Sequence, residues 1–166
     1  MLKDQKELLS EFNAHGVEYL IVGGHAVNAH GVPRTTKDLD VLVRADAANS
    51  EKVYAALASF GAPLQGFTPA DFRDYPEQIF QIGVEPSRID ILQSIPGVTF
   101  DEAWTNRVRG RIDEDITAPF IGRDDLILNK ELTGRPRDLG DVAELRDVGR
   151  VRDATGETFP DITGLP

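Results

Sequence analysis

The sequence predicts an α+β domain, a small mixed β-sheet with helices packed on one side. Three observations carry this reading. Apolar residues at helical spacing (Leu8, Leu9, Phe12) precede a β-rich run over residues 17–22, and the same alternation repeats through residue 60. Two pairs of strand-like runs, 78–84 with 88–92 and 108–113 with 116–121, are joined by turns short enough for hairpins. The last third of the chain returns to helical periodicity. With 166 residues the chain suffices for one core. We therefore expect one domain over residues 1–149 and a loosely ordered tail over 150–166, where Gly, Pro, Asp and Thr replace the periodic pattern.

In order, residues 3–14 form an amphipathic helix ending at His15-Gly16, and the first strand follows at 17–22. Gly23-Gly24 turns the chain into a short helix over 24–30, and a second strand covers 38–43. Asp46 suits the N-cap of a helix over 47–60 with Val53, Leu57 and Phe60 inward. Pro63, Gly66, Pro69 and Pro76 make 62–76 an irregular surface crossing. After the first hairpin, 100–106 reads as a short helix. Beyond the second hairpin, helices at 124–133 and 138–148 are separated by the Gly134-Arg135-Pro136 break.

Composition removes several classes of function. There is no cysteine, so disulfides, thiolate catalysis and Cys-ligated zinc are excluded, and oxygen-ligated magnesium or manganese is the natural metal. A net charge of −10 disfavours broad adhesion to nucleic acid, whose affinity comes largely from phosphate neutralisation. No apolar run is long enough to span a membrane, and the N-terminal segment reads as an amphipathic helix instead of a signal peptide. The expectation is a soluble, cytoplasmic protein with no membrane partner.

The chemistry concentrates in residues 22–43. Side chains alternate across a strand, so Asp38 and Asp40 share one face while Leu39 and Val41 point to the core. Two carboxylates aimed at one spot repel each other, and a hard divalent cation, which takes oxygen ligands together with substrate phosphates, removes that repulsion. The Gly23-Gly24 turn in front of a helix N-terminus would let a phosphate approach the backbone amides.

Gly-Gly after a strand, the thirteen-residue spacer 25–37 with Arg34 and Thr36, and Asp-Leu-Asp opening an apolar strand resemble the minimal nucleotidyltransferases of the DNA polymerase β-like superfamily. The resemblance covers about residues 15–145 and looks closest to small bacterial abortive-infection and toxin–antitoxin relatives. It implies a nucleotidyltransferase-like fold and Mg2+- or Mn2+-dependent transfer of a nucleoside monophosphate from an NTP to a hydroxyl of tRNA or other RNA, protein or a small molecule. It also implies Asp38, Asp40 and Asp90 as metal ligands and catalytic acids, Asp90 coming from the strand Ile89-Asp90-Ile91. Gly23, Gly24, Arg34, Thr36 and Lys130 would hold the nucleotide, and an antitoxin protein would be a partner of a toxin-type enzyme. Several alternatives stay open. Arg34 and Thr36 also suit a solvated loop, Lys130 a snorkelling helix edge, and Asp138 a helix cap. At the level of the whole protein, the rivals are a catalytically idle nucleotide-binding relative, an antitoxin or other partner-binding protein, and an antibiotic-modifying nucleotidyltransferase.

Overall fold

A run of aromatic and branched residues forms β1 (Tyr19–Val22), and all four of its side chains are buried. In the computed structural model, which describes residues 1–156, β1 lies inside a six-stranded sheet of order β3-β4-β2-β1-β6-β5. The other strands are β2 (Leu39–Val43), β3 (Ile79–Ile82), β4 (Ile89–Leu92), β5 (Val108–Asp113) and β6 (Ile116–Phe120). The sheet is mixed, with β1 antiparallel to β2 and parallel to β6, and β2 parallel to β4. Both expected hairpins are present as the antiparallel pairs β3–β4 and β5–β6. The α+β class is therefore as the sequence predicts.

The helices are α1 (Lys3–Ala14), α2 (Gly23–Ala29), α3 (Ala47–Phe60), α4 (Phe100–Thr105), α5 (Arg123–Thr133) and α6 (Pro136–Thr155). Helix α1 buries Leu8, Leu9 and Phe12, and the Phe12 ring meets Tyr19 of β1 edge-on at 5.3 Å. Asp46 caps α3 by accepting from the Asn49 amide at 2.8 Å. His30, directly after α2, is buried with Nε2 2.8 Å from the Ile121 carbonyl, which ties that helix to the end of β6. No helix among the described residues is long and apolar enough to cross a membrane. A short 3-10 turn (Pro69–Phe72) interrupts the proline-rich crossing and buries Phe72 against Tyr54 and Phe80.

Several boundaries differ from the sequence reading: β1 begins at Tyr19, β3 spans only Ile79–Ile82, and α6 begins at Pro136, inside the expected break. Helix α6 does not stop at Val148 but runs through Gly149 to Thr155. Glycine here is a packing residue, since a Cβ at 149 would stand 2.3 Å from Arg123 Nη1. Residues 150–155 of the expected tail are thus helical, and its remainder, 157–166, lies outside the described residues.

Candidate active site

Asp40 is the one polar residue of β2, and its neighbours Leu39 and Val41 are fully buried, as strand alternation requires. On the parallel neighbour β4, Asp90 stands in direct register with Asp40. On the other side of β2, Val22 pairs with Asp40, so the chain turns at Gly23 just where the carboxylate projects. The contact there is close: a Cβ on Gly23, whose φ is +66°, would lie 2.1 Å from Asp40 Oδ2. Glycine is required at 23 both for the left-handed backbone and to admit the acid. At Gly24 a Cβ would come within 2.5 Å of Thr36 Oγ1. The two glycines therefore fit around Asp40 and Thr36, a role that the turn reading alone does not supply.

These residues line one cavity of about 920 Å³ together with Arg34, Asp38, Asp90, Lys130 and Asp138. All eight residues expected for catalysis, metal and nucleotide thus face a single space: Gly23, Gly24, Arg34, Thr36, Asp38, Asp40, Asp90 and Lys130. Asp38 lies just before the first residue of β2. His25 is not among the lining residues; it is buried, and burial pushes its pKa down to about 4, so it is a neutral interior group.

The acid side of the cavity is short of positive charge. Burial pushes the Asp40 carboxyl up to about 7, with the charges of Asp90 and Asp38 acting in the same direction. Asp90 is 6% exposed and is also raised, by burial first and by Asp38, against the opposing pull of Arg88. Arg88 is the residue that sequence reasoning passed over. Its Nη2 is 2.9 Å from Asp38 Oδ2 and 3.3 Å from Asp90 Oδ2, so one guanidinium bridges the two outer acids. The spacing Arg88-x-Asp90 on a strand was the available signal, because residues i and i+2 share a face.

The opposite side is richer in cations and closely paired. Lys130 is 6% exposed, so the snorkelling alternative does not hold; its Nζ sits 3.3 Å from Asp138 Oδ1 and 2.9 Å from Asp141 Oδ2. Arg34 pairs with Asp141, which removes the solvated-loop alternative for that residue. Asp138 accepts from the Arg135 amide at 3.3 Å and from Arg135 Nε at 2.7 Å at the start of α6. It therefore both caps its helix and fixes the lysine. Burial opposes ionisation of Asp138, but Arg135 and Lys130 together outweigh it and hold the carboxyl below its ordinary range.

The donor chemistry suits a hard divalent cation. Asp38 Oδ1 is buried without a hydrogen-bond partner, and Asp40 is crowded by carboxylates. Their present spacing is another matter. No three His, Asp or Glu side chains among the described residues stand close enough to close on one ion, because a guanidinium lies between the outer acids.

A mixed sheet presenting three acids beside a Gly-Gly turn, opposite a clamped lysine, defines the nucleotidyltransferase class of protein. Comparison agrees. Residues 1–151 match the family described as nucleotidyltransferase of unknown function (DUF6036), and the chain belongs to it. No curated protein matches the chain. Among solved structures the fold is similar to that of the lincosamide antibiotic adenylyltransferase LnuA in its lincomycin-bound form, with TM-score 0.58 and 18% identity over 89% of this chain and 98% of that one. It is also similar to the antibiotic-resistance factor ANT(2'')-Ia in solution, with TM-score 0.54 and 13% identity over 92% of both chains. The crystal structure of ANT(2'')-Ia with adenylyl-2''-tobramycin gives TM-score 0.52 and 11% identity over 89% of this chain and 92% of that one.

Proposed function

We propose that this protein transfers a nucleoside monophosphate from an NTP to a hydroxyl acceptor in a reaction that depends on magnesium or manganese. The observation that supports this most directly is the register of Asp40 with Asp90 beside Gly23, in a cavity that also holds Asp38 and the clamped Lys130. Asp38, Asp40 and Asp90 would hold the metal, which supplies charge neutralisation at the reacting phosphate and the departing pyrophosphate. Asp90, in register with Asp40 on the neighbouring strand, would accept the proton of the attacking hydroxyl, directly or by orienting it. The backbone at Gly23 and Gly24 lets the triphosphate come close. Lys130, Arg34 and the Thr36 hydroxyl hold it in line, and because Asp138 and Asp141 already fix the two cations, little ordering is left to do on binding.

For the acceptor, a small molecule is the favoured reading. The fold neighbours include a lincosamide antibiotic adenylyltransferase and an ANT(2'')-Ia complex with adenylyl-2''-tobramycin, and the net charge of −10 works against a polyanionic RNA. The test is incubation of the purified protein with each α-labelled NTP, magnesium, and separate pools of hydroxylated small molecules, tRNA and protein. We expect label to appear in the small-molecule pool with release of pyrophosphate. Label in tRNA or protein would move the reading to a toxin-type enzyme. No label, together with unchanged melting in any NTP with magnesium, would overturn nucleotidyl transfer in favour of an antitoxin-like partner protein; a raised melting temperature without label would mark an idle nucleotide binder.

A further inference from the structure

We propose that Arg88 is a removable counter-ion, a positioning residue that holds Asp38 and Asp90 in the metal-free site and is displaced when the divalent cation binds. This rests on the functional reading above. Three observations on the molecule carry it. First, the guanidinium contacts both outer acids at once, 2.9 Å from Asp38 Oδ2, and 3.2 and 3.3 Å from the two oxygens of Asp90. It therefore lies between two of the acids that would hold the metal.

Second, the fit is incomplete. Arg88 Nε and Asp90 Oδ1 are 3.2 Å apart but misaligned, and both atoms, like Asp38 Oδ1, are buried without a hydrogen bond. A permanent structural arginine would be expected to use its planar fork in parallel paired bonds to one carboxylate. Here Nε and Nη2 face the two oxygens of Asp90, but only Nη2 makes a hydrogen bond and it is shared with Asp38, which leaves Oδ1 of both acids without one. Third, among the described residues Arg88 is the one cation in direct contact with the acids: it pairs with Asp38 and Asp90, while Asp40 makes no ion pair and lies crowded by both acids.

The Arg88 side chain is 32% exposed while Asp90 is 8% exposed, so the arginine can withdraw toward solvent without disturbing the core, whereas the acid cannot. Arg88 also leads directly out of the β3–β4 turn, whose residues 83–86 are exposed. Asp40 and Asp90, in contrast, are fixed by the paired strands β2 and β4. Displacement thus moves the basic partner and leaves the acids in place. In the metal-free protein the arginine suppresses carboxylate repulsion. In the loaded protein it would oppose the cation.

The experiment is Mn2+ titration without nucleotide, read by the loss of free-ion EPR signal, on wild type, Arg88→Gln and Arg88→Lys. Removing a positive charge a few ångströms from a divalent ion should tighten Mn2+ binding about tenfold in Arg88→Gln. Arg88→Lys, which keeps the charge but cannot bridge both acids, should fall between the two. In EDTA the melting temperature of Arg88→Gln should drop, and Mn2+ should raise it by more than in wild type. If Arg88→Gln fails to fold, Arg88→Lys against wild type decides alone. A wild type that binds Mn2+ with variants of equal or weaker affinity overturns the counter-ion role and leaves the metal site standing. Absence of binding in all three proteins overturns both.

Discussion

The two walls of the cavity carry opposite imbalances. On the strand side, Asp38, Asp40 and Asp90 share one cation, Arg88; on the helix side, Lys130, Arg34 and Arg135 share two acids, Asp138 and Asp141. Acids outnumber their paired cations on the first wall, and cations outnumber acids on the second. The strand wall therefore favours a divalent cation, and the helix wall favours an anion. The two also differ in readiness. The helix wall pairs the buried Lys130 with Asp138 and Asp141 and ties Arg34 to Asp141, with Arg135 joining from solvent, while the strand wall keeps buried oxygens without hydrogen bonds. A preorganised binding half is thus set against a reactive half whose repulsion its ligand relieves.

The largest effect that tests this difference is on turnover. Asp90→Asn keeps the shape of the strand wall and removes its base, so NMP transfer should fall by about 10²- to 10⁴-fold while NTP still binds. Single-turnover assays beside nucleotide titrations measure this, and retained turnover would remove Asp90 from the chemistry. On the helix wall the sensitive quantity is stability. Asp141→Asn takes an acid from both Arg34 and Lys130, and leaving buried cations undercompensated should cost about 3 kcal/mol in urea unfolding. A loss below about 1 kcal/mol would mean that the network is not the preorganised half.

Next in size is a pH effect of opposite sense on the strand wall. The folded-state pKa of Asp40, about 7, lies above its ordinary value of 3.8. Its stabilising contribution is therefore full below pH 3.8 and lost as pH rises through about 7, amounting to a few kcal/mol. His25 and His30 run the other way, since pKa values near 4 give stability that is present above 6.5 and lost as pH falls through 4. The difference between wild type and Asp40→Asn isolates the acid. In EDTA the variant should gain stability relative to wild type as pH rises from 3.8 to about 7, and a gap that does not change with pH would contradict the crowding of Asp40. Asp38→Asn should show no such gain, because Asp38 is held by Arg88 and its neutralisation removes a partner as well as a repulsion. The smallest effect is at Thr36, whose hydroxyl makes only a 3.5 Å contact with the Asp38 carbonyl. Thr36→Val should cost less than about 1 kcal/mol in stability. A measurable loss of NTP affinity at unchanged melting temperature would then assign the hydroxyl to phosphate binding.

Much of this molecule follows from local sequence pattern. Period-2 alternation at Leu39, Asp40 and Val41 determines that the acid leaves the core, and helical spacing at Leu8, Leu9 and Phe12 determines the buried face of α1. Short turns determine both hairpins, because antiparallel neighbours need little chain between them. Tertiary structure decided the rest. Asp40 and Asp90 are fifty residues apart, and only the parallel pairing of β2 with β4 places them side by side. That pairing also brings Arg88 between two acids, which neither hydropathy nor propensity registers. Helix α6 runs past Gly149, over which the Arg123 side chain from α5 lies, so a residue that reads locally as a helix stop sits inside the helix. Periodicity reports which face of an element is apolar; charge pairing and close glycine contacts arise between elements distant in sequence, where the chain carries no local signal of distance.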